Sequence, residues 1–305
     1  MNHMNFSMKV FRIFLNIIER ILEHTPGNGN IRTTRYRIES RFLPPDFDGF
    51  RFVVLADIHA HRFDEGQEML LSKIRRLEPE LILSVGDFIR EEYEGADRKL
   101  LRELSQKLLA EWPFYSILGN HEGRADTKED FIEDFSKAGV RLLQDETVYL
   151  TRENGEVKEA LLKENESPDP SRMLALTGLY PSYENGFYGS LRDSGYGPVL
   201  KAEYEQVMKA VPEDMLQIVL SHRPELFELY QELKMDLVFC GHAHGGLMKL
   251  PGGRRLLAPD QGLLPKLTHG PYHKNITTMI VSEGLGGPRI GIFPELILVE
   301  MKKRG

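Results

Sequence analysis

The sequence predicts an α/β fold built around a largely parallel β-sheet. Short apolar runs of four or five residues, typical of buried strands, alternate with longer stretches whose apolar residues recur every three to four positions. This alternation is typical of βαβ units, in which helices cover a parallel sheet. In addition, several of the apolar runs lead directly into Asp, Asn or His, and open α/β sheets carry their ligands at such strand ends.

The first part of the chain after residue 30 consists of an edge strand and regular strand–helix pairs. Residues 31–40 alternate basic and other side chains, which indicates an edge strand. Two prolines, Pro44 and Pro45, precede the repeating pattern. The predicted strands that follow are 52–56, 81–85 and 114–118, and the predicted helices between them are 66–77 and 97–111.

The second part changes character after residue 140. The runs 140–151, 157–162 and 173–179 predict antiparallel strands, and 180–198 predicts a long loop rich in Tyr and Gly. The remaining predicted elements are a helix at 199–210, a strand at 216–220, a helix at 224–233, and strands at 237–240, 277–282 and 290–301. No internal boundary is evident, so we expect a single domain over residues 31–305.

Composition limits the classes of protein that fit. The 305 residues are 41% hydrophobic and 28% charged, as in an ordinary globular protein. The net charge of −7 argues against a dedicated nucleic-acid binder, which usually has a basic surface, so no such binding is expected. A single cysteine, Cys240, excludes an intrachain disulfide and favours a reducing compartment. We therefore expect a cytoplasmic location.

The N-terminal segment, residues 1–30, predicts an amphipathic helix followed by a linker. Polar residues recur every three to four positions across residues 5–23, and the rest of that stretch is mostly apolar. Residues 26–30, Pro-Gly-Asn-Gly-Asn, end the helix. Two interpretations remain open: the helix lies at a membrane surface, which would make the protein peripheral there, or it packs on the domain or a second subunit.

Five short blocks carry side chains that suit metal ions. They are Asp57-Ile58-His59, Gly86-Asp87, Gly119-Asn120-His121-Glu122, Ser221-His222 and Gly241-His242-Ala243-His244. Asp, Asn and His together suit Mn, Fe or Zn. A carboxylate can bridge two cations, and two close cations favour hydrolysis of phosphate esters. Each block alone could be a turn or a structural histidine, but their joint placement at strand ends predicts one metal site.

The five blocks, in this order, resemble the calcineurin-like metallophosphoesterase superfamily. The resemblance runs from about residue 52 to the C-terminus, although 123–215 carries no superfamily motif. Residues 241–246, 258–266 and 282–286 are similar to a bacterial subgroup that includes membrane-associated phosphodiesterases and UDP-diacylglucosamine pyrophosphatases. The resemblance implies a four-layer α-β-β-α sandwich, in which two mixed β-sheets are flanked by helices.

The resemblance also implies a role for each ligand. Asp57, His59 and His244 would hold a first divalent metal ion, Asn120, His222 and His242 would hold a second, and Asp87 would bridge them. His121 would be the catalytic imidazole. Glu122 stands where many relatives have Asp, and it would orient His121.

These roles predict a dinuclear-metal hydrolase of phosphate esters, with phosphodiesters or pyrophosphate-linked lipids as the favoured substrates. A hydroxide shared by the metals would attack phosphorus in line, and His121 would protonate the leaving alkoxide as a general acid. One alternative is a nuclease or nucleotide phosphodiesterase, which the acidic net charge disfavours. The other is a non-catalytic metal-binding scaffold of the same fold, which the complete ligand set disfavours.

Specificity is expected to reside in the loops 180–198 and 262–275. Candidate substrate contacts there and beside the metal-ligand blocks are His61, Arg124, Lys266, His269, Tyr272 and His273. An aromatic group, Tyr180, Tyr183, Phe187 and Tyr188, is a candidate wall for a lipid or nucleoside. For each of these residues, an exposed or locally packed side chain is the alternative interpretation.

Overall fold

A computed structural model describes residues 30–90, 92–163, 166–180, 197–287 and 289–305. The helix expected at residues 5–23 and most of the loop expected at 180–198 lie outside these residues, as do Tyr183, Phe187 and Tyr188. Within the described ranges, no helix is both long and apolar enough to cross a membrane.

The described residues contain fifteen strands and six α-helices. In chain order, the strands are β1 Arg32–Ser40, β2 Arg51–Leu55, β3 Leu81–Ser84, β4 Phe114–Ser116, β5 Arg141–Leu142, β6 Glu146–Glu153, β7 Glu156–Glu159, β8 Met173–Leu179, β9 Gln217–Ser221, β10 Leu237–Cys240, β11 Leu257–Ala258, β12 Gly262–Leu263, β13 Gly270–Lys274, β14 Thr277–Val281 and β15 Glu295–Lys303. The helices are α1 Glu68–Arg75, α2 Gly95–Leu109, α3 Asn120–Arg124, α4 Lys128–Ala138, α5 Gly197–Met208 and α6 Phe227–Glu232.

Two mixed sheets form the centre of the molecule. The first has the order β1-β15-β2-β3-β4-β5, with β2 to β5 parallel and β15 antiparallel to β2. The second has the order β13-β14-β10-β9-β8-β6-β7, with β14, β10, β9 and β8 parallel. A separate two-stranded sheet pairs β11 with β12.

Alternation along the strands builds four layers. In β2, Phe52 and Val54 face the second sheet and join a core that includes Phe239 of β10, whereas Val53 packs with helix residues such as Leu104. On the far side of the second sheet, Val238 packs with residues of α5 and α6. The strands are therefore buried on both faces, which explains their continuous apolar runs. The predicted α-β-β-α sandwich is confirmed.

Several features differ from the sequence prediction, three of them in the course of the chain around the sheets. The run 140–151 is two strands, because Asp145 turns the chain with a φ of 52° between β5 of the first sheet and β6 of the second. Residues 128–138, to which no element was assigned, form α4, which buries Phe131 and Phe135 one turn apart. The predicted loop 262–275 contains β13, an edge strand of the second sheet.

Candidate metal centre

The five predicted blocks meet where strands of both sheets end. Asp57 follows β2, Asp87 follows β3 and Asn120 follows β4 of the first sheet. His222 follows β9 and His242 follows β10 of the second sheet. His244 lies two residues beyond His242. The side chains of all seven predicted ligands are buried, so the sandwich edge gathers polar groups in an interior where they need partners.

Five of the seven predicted ligands adopt left-handed backbone conformations. The φ angles are 49° at Asp57, 47° at His59, 56° at Asp87, 65° at His242 and 47° at His244. A non-glycine residue in this region costs about 1–3 kcal/mol and persists where the surrounding structure imposes it. Such a concentration at one sheet edge supports a functional site rather than five separate structural turns.

Two glycines make the close approach of these loops feasible. A Cβ atom at Gly119 would lie 2.1 Å from Oδ1 of Asp87, and a Cβ atom at Gly241 would lie 2.6 Å from Oδ2 of Asp57. Neither distance is compatible with a side chain. The glycines of the Gly-Asn-His-Glu and Gly-His-Ala-His blocks are therefore required by the packing of the carboxylates beside them.

Asp87 lies at the centre of the cluster. Its Oδ1 accepts a hydrogen bond from the main-chain N–H of His121 at 2.9 Å. Its Oδ2 is fully buried and has no hydrogen-bond partner, although it lies 3.0 Å from Nε2 of His222, 3.9 Å from Nε2 of His59 and 4.0 Å from Nε2 of His121. A buried carboxylate oxygen without a hydrogen bond among three imidazoles fits a cation.

The imidazoles of His59 and His222 are oriented by main-chain carbonyls. Nδ1 of His59 donates to the carbonyl of Ile89 at 2.8 Å, and Nδ1 of His222 donates to the carbonyl of Val85 at 2.7 Å. In both rings Nε2 therefore points into the cluster. Nε2 of His59 lies 3.3 Å from Nε2 of His244. Ligand histidines are commonly fixed in this way by a bond at the other ring nitrogen.

His242 is held differently, through a residue that sequence reasoning did not single out. Its Nε2 lies 2.8 Å from Oδ2 of Asp260, and the main-chain N–H of His242 donates to the carboxylate of Asp57 at 3.0 Å. Asp260 also accepts from Nη1 of Arg223 at 2.8 Å, and the same nitrogen donates to Glu225 at 3.0 Å. Asp260 belongs to the 258–266 segment, but nothing in its local sequence reveals the contact.

Glu122 does not orient His121, so this expectation is wrong. Glu122 is fully buried, and its two oxygens accept main-chain N–H groups of Asp87 at 2.9 Å, Gly119 at 2.7 Å and Ile89 at 2.9 Å. The carboxylate therefore ties together the turns that follow β3 and β4. Burial raises the pKa of Glu122, while these N–H groups oppose the rise.

His121 occupies the open side of the cluster. Its side chain is 34% exposed, whereas that of His59 is 5% exposed and that of His222 is fully buried. The Nδ1 of His121 bonds to the carbonyl of Arg90, which leaves Nε2 directed toward Asp87. The imidazole of His121 is therefore more accessible to solvent than those of His59 and His222.

Burial and mutual charge set the protonation of the cluster. Burial lowers the pKa of His59 to about 3 and that of His244 well below its usual value, so both rings are neutral at pH 7 and offer a lone pair. Burial disfavours the charge on Asp87, yet His222 and His121 hold its pKa well below the usual range. Burial raises the pKa of Asp57 to about 7.

Three groups of possible ligand atoms overlap at the centre. In each group the atoms lie within 4.8 Å of one another: Asp57, His59 and His244; His59, Asp87 and His121; and Asp87, His222 and His242. Oδ1 of Asn120 lies 3.0 Å from Nε2 of His222, which adds an amide oxygen to the last group. The donor set of carboxylate, amide and imidazole groups fits divalent cations such as Mn, Fe or Zn.

A second missed residue, Arg289, supports the loop that covers the cluster. Its guanidinium is buried and donates to the carbonyls of Gly284, at 3.0 Å, and Gly286. A Cβ atom at Gly284 would lie 2.9 Å from Cβ of Asp57, so the loop packs directly on a predicted ligand. Burial lowers the pKa of Arg289 to about 10, and Asp57 opposes this shift.

Most of the other predicted substrate contacts make local interactions. The Tyr272 hydroxyl donates to the carbonyl of Lys266 at 2.8 Å, and Nδ1 of His273 lies 3.0 Å from Oγ1 of Thr278. The ring of His61 meets that of Phe63 edge to face, and Nδ1 of His269 lies 2.9 Å from Oγ1 of Thr268. Tyr180 is buried, and Arg124 is exposed on α3.

The chain is similar in sequence to known proteins of one family. The calcineurin-like phosphoesterase family matches residues 50–246, which include all the predicted ligands. The chain is similar to the metallophosphoesterase YkuE of Bacillus subtilis (strain 168), with 24% identity over 278 residues, 89% of this chain and 86% of the relative. It is also similar to the phosphodiesterase YaeI of Escherichia coli (strain K12), with 24% identity over 261 residues, 83% of this chain and 82% of the relative.

Among solved structures, GAP50, the anchor in the inner membrane complex of Plasmodium, aligns with a TM-score of 0.42 and 14% identity, covering 78% of this chain and 72% of that one. The family resemblance found in the five blocks is confirmed by the family match. The chain belongs to the calcineurin-like phosphoesterase family, whose members are divalent-metal-dependent hydrolases of phosphate esters.

Proposed function

We propose that this protein hydrolyses phosphodiesters at a dinuclear metal centre. The observation that carries the proposal is Oδ2 of Asp87, a buried anionic oxygen without a hydrogen bond that lies within 4.0 Å of three imidazole nitrogens. Its nearest partner is Nε2 of His222 at 3.0 Å, and a buried carboxylate surrounded by imidazoles is a strong site for cations. Two divalent cations, when bound, would compensate the charge of Asp87.

The proposed ligands divide between two positions that share Asp87. One position has Asp57, His59 and His244, which form a compact group. The other has His222, His242 and Asn120, of which Oδ1 of Asn120 and Nε2 of His222 are 3.0 Å apart. The cations, when bound, would neutralise charge on the phosphate and activate the attacking water.

His121 is proposed as the general acid. Its Nδ1 is engaged by the carbonyl of Arg90, so Nε2 is the ring atom that can carry and release a proton. The bond from its main-chain N–H to Oδ1 of Asp87 fixes the start of α3 against the bridging carboxylate. A protonated His121 would donate to the leaving alkoxide, and its partial exposure places it where a substrate enters.

The preference for diesters and for lipid-bearing substrates rests on two further observations. The relative YaeI is named a phosphodiesterase. A cleft of about 520 Å³ opens beside Glu225, which shares Arg223 with Asp260. Its apolar lining residues are Phe227, Leu263, Leu264, Pro265 and Leu267. The rest of the lining is polar: Glu225, Glu228, Gln231, Gln261, Lys266 and Lys274. A cleft with both an apolar side and charged groups suits an amphiphilic phosphate or pyrophosphate ester.

A substrate panel tests the proposal. Purified protein reconstituted separately with Mn, Fe and Zn is assayed on bis-p-nitrophenyl phosphate, p-nitrophenyl phosphate, a lipid pyrophosphate and single-stranded DNA, with His121→Asn as the inactive control. We expect the diester to be cleaved faster than the monoester, and the lipid pyrophosphate to be cleaved. Preferential cleavage of DNA would support the nuclease alternative, and no cleavage by any metal form would support the scaffold alternative.

We also propose that residues 5–23 contact a membrane surface. The support is their amphipathic sequence pattern alone. The test compares the full chain with a chain that begins at residue 30 in flotation with anionic liposomes. The full chain should float with the vesicles and the shortened chain should not, and equal recovery of both would favour packing of the segment on protein.

A further inference from the structure

We propose that Asp260 is a positioning residue that sets the affinity of the metal position containing His242. The inference rests on the dinuclear site proposed above and extends it to a residue outside the predicted ligand set. Asp260 contacts the ligand His242 and not the proposed metal position itself. Its effect would therefore pass through the imidazole ring.

The contact determines which nitrogen of His242 is available. Nε2 of His242 donates to Oδ2 of Asp260 at 2.8 Å, so the lone pair of the neutral ring resides on Nδ1. His59 and His222 show the opposite arrangement, because each donates through Nδ1 to a carbonyl and presents Nε2. Loss of the Asp260 carboxylate would leave the orientation and tautomer of His242 undetermined.

Asp260 is itself bonded to a buried arginine. It occupies the turn between β11 and β12 with a φ of 55°, and Nη1 of Arg223 donates to its Oδ2 at 2.8 Å. Arg223 is 1% exposed, and the same Nη1 donates to Glu225 at 3.0 Å. Glu225, His242 and Asp260 also form a group that could hold a cation. The Arg223 guanidinium already supplies the positive charge between the carboxylates of Glu225 and Asp260. We therefore assign these carboxylates to the support of His242 and not to a separate cation.

The charge of the two positions explains why Asp260 matters at one of them. The position with His244 contains the carboxylate of Asp57 in addition to the shared Asp87. The position with His242 has Asp87 as its sole proposed carboxylate, since Asn120 is a neutral amide and the other ligands are imidazoles. A carboxylate behind a ligand histidine makes the ring more basic, and Asp260 thereby supplies negative charge that the direct ligands lack.

The test is a two-site titration of the metal-free protein with Mn²⁺ and, separately, Zn²⁺. Asp260→Asn is expected to weaken one of the two sites about 10- to 100-fold and to leave the other within about twofold. At limiting metal, the bound stoichiometry should fall from two toward one. When turnover is measured against metal concentration, Asp260→Asn should need more metal for half-maximal activity, by the same factor. Its kcat at saturating metal should be close to that of the wild type.

Asp145→Asn is a matched control. Asp145 also occupies a turn with positive φ, 52°, and its carboxylate accepts a main-chain N–H, that of Tyr180, at 2.8 Å. It makes none of the contacts described for the metal cluster, so its variant should bind both metals as the wild type does. If Asp260→Asn does not fold, Asp260→Glu and Asp260→Gln replace it. The Glu variant, which keeps a carboxylate, should then bind metal at the affected site at least about tenfold more tightly than the Gln variant.

A third variant, His242→Ala, separates this inference from the proposed function. If His242→Ala retains two sites of unchanged affinity, the proposed ligand set fails. The role of Asp260 alone is overturned by a different result. In that case His242→Ala loses one site, but Asp260→Asn binds metal at both sites as tightly as the wild type, or the Glu and Gln variants bind equally tightly. Loss of one site in His242→Ala and selective weakening in Asp260→Asn would support both.

Discussion

Replacement of Asp87 by Asn removes the bridging charge with little change in shape. Asn tolerates the φ of 56° at this position better than Ala, and its carbonyl oxygen can keep the bond from the His121 N–H. The lost atom is the buried Oδ2, which has no hydrogen bond to lose. Its charge, however, pairs with His222 at 3.0 Å, and His222 and His121 hold the pKa of Asp87 well below the usual range. The metal-free variant should therefore have a lower free energy of unfolding than the wild type at pH 7.

Metal binding should respond strongly to the same change. Even about 4 Å from a cation, and at an effective dielectric constant of about 20, one unit charge contributes roughly 4 kcal/mol, which is about a 10³-fold change in affinity. A directly bridging carboxylate lies closer, so this is a conservative figure. Asp87→Asn should bind fewer than two metal ions at micromolar concentrations and should lose turnover by at least about 10³-fold.

Thermal unfolding with and without metal measures this effect. Metal at 100 to 1,000 times its Kd stabilises the folded state by about 2.7–4.1 kcal/mol, and in domains of comparable size this corresponds to roughly 5–15 °C in Tm. The wild type should show this increment with Mn²⁺, and Asp87→Asn should not. Asp145→Asn serves as the control that retains it. A wild-type increment, two bound metals and normal turnover in Asp87→Asn would refute the bridging role.

The remaining predictions concern three other side chains. His121→Asn should lower kcat by about 10²- to 10⁴-fold while metal content by elemental analysis stays at two, and loss of a metal ion would identify His121 as a ligand instead. Glu122→Gln should lower the free energy of unfolding by about 3 kcal/mol in urea titrations, because one or more main-chain N–H donors lose their acceptor, and unchanged stability would contradict that role. Burial raises the pKa of Asp236 to about 6, against the opposing bond from the Gln217 N–H, so its folded pKa exceeds the unfolded value of about 4. Its contribution to stability should therefore be largest below pH 4 and fall by up to about 3 kcal/mol as the pH rises to 6, and Asp236→Asn should remove this part of the pH dependence of urea unfolding.

Much of the architecture was accessible from sequence because it is encoded locally. Strands buried on both faces must be continuously apolar, and helices packed on one side must repeat every three to four residues, so the strand–helix order up to residue 118 was predictable. The turn at Asp145 was not, because a single run, 140–151, supplies one strand to each sheet and only the position of the second sheet separates them.

The metal-ligand blocks were equally visible, since polar residues at strand ends are a local signal. Their mutual contacts were not. Three of these contacts join separate loops. His242 bonds to Asp260, Arg223 pairs with Asp260, and the loop supported by Arg289 packs on Asp57. No periodicity links such residues, so sequence alone left Asp260 and Arg289 unassigned.

The sequence by itself determined the sheet-and-helix alternation, the family and the residue types gathered at the sheet edge. The tertiary structure decided the orientation of those residues: the nitrogen that each imidazole presents, the assignment of Glu122 to the backbone rather than to His121, and the exposure of His121 beside buried neighbours. The reason is physical. Residue type and strand end are properties of a short segment, whereas hydrogen-bond partners and burial depend on segments brought together only by folding.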